Sequence, residues 1–341
     1  MTGTKTSHAV TTTAATGPEP GAPALLVDGL SVRFATAGRV VTALLGVDLR
    51  LAAGETMVVA GESGSGKSVL AAAVLRNLPG NATASGTVWV RGEELSSLPP
   101  AAQRRFRRRH VAYIPQSPAT ALNPVRRVGS LLMELARARG LTGPAATAAL
   151  ESALGALDLD FHDVARRYPH QLSGGMQQRV LNAVAMVGEP ALVIADEPTS
   201  GLDPDLVEAT AAGLSKLAER GAGLLVITHD LRLARRLGGR LALLYGSHLV
   251  ESRPTERFFD APAHPYGRGL LAAMPEHGGV PIPGQPPELT ALPEGCPFQP
   301  RCPVRIDACD GPMPEPVPVA GDAPAPGWVR CYRHHRGGGD A

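Results

Sequence analysis

Thr56-Met57-Val58-Val59-Ala60-Gly61-Glu62-Ser63-Gly64-Ser65-Gly66-Lys67-Ser68 is the stretch from which the architecture can be read. Its first five residues form a short apolar run, the profile of a strand buried on both faces. Residues 61–68 match the G-x-x-x-x-G-K-[ST] pattern of a phosphate-binding loop. Residues 67–78 read as a helix stopped by Pro79-Gly80. In that order, strand, loop and helix aim backbone N–H groups at a phosphate held near a positive helix end. Gly61, Ser63, Gly64 and Gly66 supply the curled backbone, Lys67 reaches the β- and γ-phosphates, and Ser68 binds Mg²⁺. A glycine-rich turn ahead of a helix, with no nucleotide, is the plainer alternative.

Further along, Asp196-Glu197 follows the apolar run 191–195. A carboxylate at a strand's C-terminal edge can enter the Mg²⁺ shell, which suits Asp196, while Glu197 can polarise the attacking water. His229 follows the run 224–228 and can donate a hydrogen bond to the γ-phosphate. Gln116, after Tyr113-Ile114-Pro115, can touch Mg²⁺ or water. Taken singly, these would be a solvated acidic pair, a structural histidine and a surface glutamine; beside the phosphate loop they form a set. Leu172-Ser173-Gly174-Gly175-Met176-Gln177-Gln178-Arg179 adds a second helix N-terminus, preceded by a Ser and two Gly. It can be offered to a nucleotide held elsewhere, so that one subunit completes another's site.

The 341 residues, 44% hydrophobic and 19% charged, describe a globular chain with room for one large core and an appendage. A net charge of +2 is too small to indicate nucleic acid. No apolar run approaches the roughly 20 residues that span a bilayer. Residues 1–23 are low in complexity, lack a secretory apolar core and read as a disordered cytoplasmic tail. Strands are expected at 25–27, 31–34, 40–51, 87–90 and 111–115, with a closing hairpin at 241–245 and 248–251 and helices over 125–170. Alternating strands and helices imply an α/β fold with a mainly parallel sheet. The boundaries read as a nucleotide-binding domain over 24–261, with a helical lobe at about 117–185, and a Pro/Gly-rich extension over 262–341. The arginine run 104–109 reads as a solvated helical face rather than a nucleic-acid or lipid contact.

All four cysteines, Cys296, Cys302, Cys309 and Cys331, lie in that extension with spacing C-x5-C-x6-C-x21-C. This is not the paired C-x2-C of most structural zinc sites, and a cytosolic chain should not hold disulfides. Zinc, a [4Fe–4S] cluster and unligated thiols all stay open on spacing alone.

Together these residues resemble the ATP-binding subunits of ABC transporters, over about residues 24–271. Five motifs occur in the family's order: the loop 61–68, Gln116, the signature 172–179, the 191–197 strand with Asp196-Glu197, and His229. Ser200-Gly201-Leu202-Asp203 is similar to the family's dimer-contact loop, and Phe34 falls near the aromatic that stacks on adenine. A narrower likeness, to the oligopeptide, dipeptide and nickel importer branch, rests on Leu122-Asn123-Pro124, Tyr168-Pro169-His170-Gln171, His264-Pro265-Tyr266 and Cys296-Pro297-Phe298-Gln299-Pro300-Arg301-Cys302. Gln177 departs from that branch, which often has Arg there.

The resemblance implies a P-loop NTPase core with an antiparallel β subdomain, a helical signature lobe and a small Cys-containing extension. It implies an ATPase that binds ATP and Mg²⁺, with Ser173, Gly174, Gly175, Gln177 and Asp203 reaching a partner's nucleotide. The partners implied are a second ATPase subunit, identical or paralogous, two membrane permeases docked at 117–135, and an extracytoplasmic solute-binding protein. The chain would sit peripherally on the cytoplasmic face of the membrane, power import of a peptide, nickel or metallophore, and hold a [4Fe–4S] cluster on its four cysteines. A soluble ABC-type ATPase of DNA repair or translation is the alternative, although such chains often carry two cassettes; no nucleic acid is expected.

Overall fold

The computed structural model describes residues 22–36, 38–117, 121–322 and 327–335. Most of the expected N-terminal tail, and residues 118–120 of the expected permease-docking stretch, lie outside the described residues.

Strands β1 (Leu25–Thr36), β2 (Arg39–Leu51), β4 (Ala82–Val90) and β5 (Glu93–Glu94) pair antiparallel in the order β2-β1-β4-β5. The runs 25–27 and 31–34 belong to one bulged strand, whose pairing with β2 passes from Val27↔Leu49 to Leu30↔Val47. Gly29 takes the left-handed conformation this requires, with φ 59, and donates its N–H to Asp48 Oδ1 at 2.7 Å.

The second sheet has eight strands in the order β11-β12-β10-β9-β3-β8-β7-β6. Five are parallel: β3 (Thr56–Ala60), β6 (Val111–Ile114), β7 (Leu192–Asp196), β8 (Gly223–Thr228) and β9 (Arg240–Tyr245). An antiparallel edge follows, made of β10 (His248–Pro254) and two two-residue strands, β12 (Trp328–Val329) and β11 (Val317–Pro318). β3, β7 and β8 are buried along their whole lengths because both faces are covered. Val59 and Ile227 pack with α1 (Lys67–Val74) and the antiparallel sheet. Val58 and Val226, one residue earlier in each strand, pack with α7 (Pro204–Glu219) and α8 (Leu231–Leu237).

Helix α1 stops before Leu78, the end expected from Pro79. Arg76 turns left-handed at φ 50, and the N–H groups of Arg76 and Asn77 close on Ala73 O and Ala72 O, a terminating pattern made without glycine. Helix α2 (Pro100–His110) carries the arginine run, buries none of its residues, and places the cationic side chains of Arg107, Arg108 and Arg109 in its last turn, where the helix dipole favours them. Helices α3 (Val128–Ala138), α4 (Gly143–Gly155), α5 (Phe161–Arg166) and α6 (Gly174–Met186) gather around a core of their own that includes Leu132, Leu150, Leu154 and Val180.

Beyond α9 (Thr255–Asp260) and α10 (Pro265–Ala272) the chain returns to the main sheet, where Glu251 pairs with Val329 and Ser252 with Trp328. Arg253 donates to both carboxylate oxygens of Asp322, at 2.7 and 3.1 Å. Glu251, fully buried, accepts the N–H groups of Ala263 and His264, each at 2.8 Å, and so fixes the start of α10. Burial pushes the Glu251 carboxyl up to about 7, against the pull of those N–H groups and of Arg253. A carboxyl raised in the folded state contributes stability that is complete below its unfolded value and is lost as pH rises through 7. The unfolding free energy of wild type minus that of Glu251→Gln should therefore shrink between pH 5 and pH 8, by on the order of 2 kcal/mol. Urea titrations at several pH values read this, and a difference that grew with pH would contradict it.

Candidate nucleotide site

The parallel strands end together. Ala60 pairs with Thr228, Asp196 with Ile227 and Ile114 with Ala195. Each strand delivers its functional segment just past that line: the loop 61–68 after β3, Gln116 after β6, Asp196-Glu197 at the end of β7, and Thr228-His229 at the end of β8. Open parallel sheets place their ligands at this carboxyl edge.

The loop is shaped by close backbone approaches. A Cβ on Gly61 would stand 2.2 Å from Leu244 O, and one on Gly66, where φ is 106, would stand 2.3 Å from Ala43 O. Gly64 is left-handed at φ 80, and Ser63 beside it is exposed. Lys67 is buried and donates from Nζ to Gly61 O at 2.7 Å and Glu62 O at 2.8 Å, so its ammonium closes the loop on itself. Burial lowers the Lys67 pKa, while Glu197, Asp196 and Glu62 pull it back up.

Ser68 is exposed at the first turn of α1 and hydrogen-bonds Asp196. Burial raises the Asp196 pKa, the Ser68 bond opposes this, Glu197 adds to it and Lys67 counters it. Asp196 Oδ1 is buried with no hydrogen-bond partner. An orphaned carboxylate oxygen beside a hydroxyl is a donor set that fits Mg²⁺.

Glu197 holds a left-handed backbone, φ 52, uncommon for a non-glycine residue. Its N–H donates to Ile227 O at 2.8 Å. Its carboxylate accepts from Thr228 Oγ1 at 3.0 Å and His229 N–H at 3.0 Å, and lies 2.7 Å from His229 Nδ1. An ionised carboxylate only accepts, so Nδ1 carries the proton there, and Nε2 can also donate only as the imidazolium. Thr228 lies in the run 224–228 that the sequence marks as a strand, but its hydroxyl's hold on Glu197 was not legible there. Gln116 is exposed. Phe34 lies half-buried on β1, against the core that α1 and the antiparallel sheet share.

The signature segment stands apart from these groups. Ser173 caps α6 by accepting the Met176 N–H at 3.3 Å. Ser173 and Gly174 are exposed, and a Cβ on Gly174 or Gly175 would meet nothing within 4 Å. Gln177 Nε2 instead donates to Pro169 O at 2.9 Å and Leu172 O at 3.2 Å, which holds the turn ahead of the helix. Asp203 is exposed and caps α7 through the Leu206 N–H at 3.0 Å.

The four cysteines are free thiols that line one narrow cavity together with His264. No group of three or more His, Cys, Asp or Glu among the described residues is arranged to hold a metal ion. Burial pushes Cys296 up to about 12 and raises Cys302 and Cys331, with neighbouring thiols adding to each. His264 is fully buried, which pushes its pKa down to about 3, and its Nδ1 accepts the Tyr266 N–H at 3.0 Å. Its proton therefore sits on Nε2, which faces Cys296 Sγ at 3.9 Å.

Fold and site together define a phosphate-loop ATPase with an outward-facing second helix N-terminus. Residues 44–200 match the ABC transporter family model, and residues 250–309 match that of the oligopeptide/dipeptide transporter C-terminal region. The chain is 37% identical to the oligopeptide transport ATP-binding protein OppD of Salmonella typhimurium, over 94% of this chain and 97% of that one. It is 38% identical to OppD of Haemophilus influenzae, over 84% of this chain and 91% of that one. Among solved structures, the dimeric ATP-binding cassette MJ0796, in a post-hydrolysis state bound to ADP and Pi, superposes with a TM-score of 0.61 at 25% identity, over 68% of this chain and 98% of that one. The chain belongs to the ATP-hydrolysing subunits of the ABC transporter family, and no helix among its described residues is long and apolar enough to cross a membrane.

Gly66→Ala should strain the loop and force Ala43 aside. Chemical denaturation should show a loss of about 2 kcal/mol or more, and ATP binding should fail. Unchanged ATP affinity in this variant would contradict the assigned backbone geometry.

Proposed function

We propose that the chain powers import of peptides or a related small solute, as one of two ATPase subunits seated on a pair of membrane permeases at the cytoplasmic face. The observation that carries this reading is the split site. The groups for holding and cleaving ATP meet at one sheet edge, while Ser173 and Gly174 stand exposed on a different lobe, with open space where their neighbours would be. A second subunit, identical or paralogous, would present that segment and Asp203 to the nucleotide held by the first. The peptide cargo rests on the matches to oligopeptide transport proteins, and an extracytoplasmic binding protein would deliver it.

In this reading the loop N–H groups and Lys67 hold the β- and γ-phosphates, and Phe34 stacks on the adenine. Ser68 and Asp196, with Gln116 nearby, would hold Mg²⁺, which neutralises charge on the phosphate oxygens when bound. Glu197 accepts the proton of the attacking water. Thr228 and the His229 N–H orient its carboxylate, and the His229 ring, released from Oε1, turns to the γ-phosphate. Val125, 80% exposed within 117–135, offers apolar surface to a permease segment.

Glu197→Gln should bind ATP, accumulate as a closed dimer on size-exclusion chromatography and hydrolyse at least about 100-fold more slowly. Near-normal turnover would remove Glu197 from its assigned role.

We also propose that Cys296, Cys302, Cys309 and Cys331, which line one cavity but are not arranged as a metal site there, would close on a [4Fe–4S] cluster, with zinc as the alternative. Held by Cys296, Cys302, Cys309 and Cys331, such a cluster would cross-link the segments that carry them. Anaerobically purified protein should contain about four iron and four acid-labile sulfide per chain, lost in Cys302→Ser. Stoichiometric zinc instead would replace the cluster in this reading.

A further inference from the structure

We propose that the Cys-bearing extension sets the conformation of the phosphate loop, with Arg301 and Tyr266 as positioning residues for ATP binding. The inference rests on the ATPase reading above and adds to it a contact between regions far apart in sequence.

Glu62, the second residue of the loop, is held from three directions. Its carbonyl accepts from Lys67 Nζ at 2.8 Å, inside the loop. Its N–H donates to the Tyr266 hydroxyl at 2.7 Å. Its carboxylate accepts two bonds from the Arg301 guanidinium, at 2.7 and 3.1 Å, across 239 residues of chain. Arg301 is itself fixed, because it also donates to Tyr245 Oη at 3.0 Å, Pro283 O at 2.8 Å and Ile282 O at 3.2 Å. Its side chain is 5% exposed, so the pair is shielded from solvent on that side. Two parallel, charge-assisted bonds from a planar fork define direction as well as distance, which a lysine could not do.

Both holding residues lead to the thiol cavity. Arg301 immediately precedes Cys302. Tyr266 donates its N–H to His264, whose other ring nitrogen faces Cys296 Sγ. The Tyr245, Tyr266 and Phe298 rings pack mutually, with centroids 4.4 to 5.5 Å apart, and join the two routes. A shift of the Cys296–Cys302 segment would therefore be felt at Glu62 through two separate contacts. Since Glu62 O and Gly61 O also hold the Lys67 ammonium, the disposition of that ammonium depends on where Glu62 is kept.

The test is Mg-ATP titration calorimetry on the full chain, with iron and sulfide content and thermal midpoint measured on each variant. Arg301→Gln and Glu62→Gln should each weaken ATP binding about tenfold, and the double variant should be no weaker than either alone. Tyr266→Phe, which removes only the acceptor for the Glu62 N–H, should weaken binding while keeping the aromatic packing and the iron content. It carries the test should Arg301→Gln not fold. Arg301→Lys should recover only part of the affinity. Variants that melt earlier yet bind ATP within twofold of wild type would overturn the proposal and leave Arg301 a packing residue. Single effects that added in full would overturn it too. Wild-type protein unable to bind ATP would instead sink the ATPase reading itself.

Discussion

Parallel pairing in a shared register is the constraint on which the rest depends. β6, β7, β8 and β3 are hydrogen-bonded neighbours running the same way, so their C-terminal ends fall on one line. The loop 61–68, Asp196, Glu197 and His229 come from segments scattered over more than 160 residues, yet they need no further device to meet. Burial on both faces keeps that register, since a slip by one residue would exchange the sets that face α1 and α7. Glu197 adds a local cost, a left-handed backbone, which the Ile227 carbonyl and the Thr228 hydroxyl hold in place.

In the proposed function that edge is half of a working site. Helix α6 belongs to a lobe with a core separate from those of the sheet, and its capped N-terminus faces outward. Separate cores let a lobe turn as a body while the phosphate loop stays where the sheet holds it. The division of labour within residues 172–179 follows from the contacts. Ser173 and the two glycines are left open, whereas Gln177 is occupied with shaping the turn that presents them.

Much of this was legible in the sequence because it is local. The run 56–68 contains its own strand, turn and helix signals, and 191–197 and 224–229 repeat the pattern of an apolar strand ending in a functional group. What escaped was either unmarked or long-range. Arg76 ends α1 in a conformation that nothing in an arginine advertises, and the register shift at the Asp28-Gly29 bulge depends on the partner strand. Two-residue strands such as Trp328–Val329 have no period to detect. Arg301 and Tyr266 stood within quoted motifs, but only folding brings them to Glu62.

The return of the chain to β10 also bears on how the molecule assembles as it is made. Arg253 has to wait 69 residues for Asp322, and Glu251 longer still for Val329. Until then a nascent chain presents an unpaired strand edge and an arginine without its carboxylate, a surface suited to chaperone capture or mispairing. The main sheet would thus stay open at that edge until residues 328 and 329 have been made.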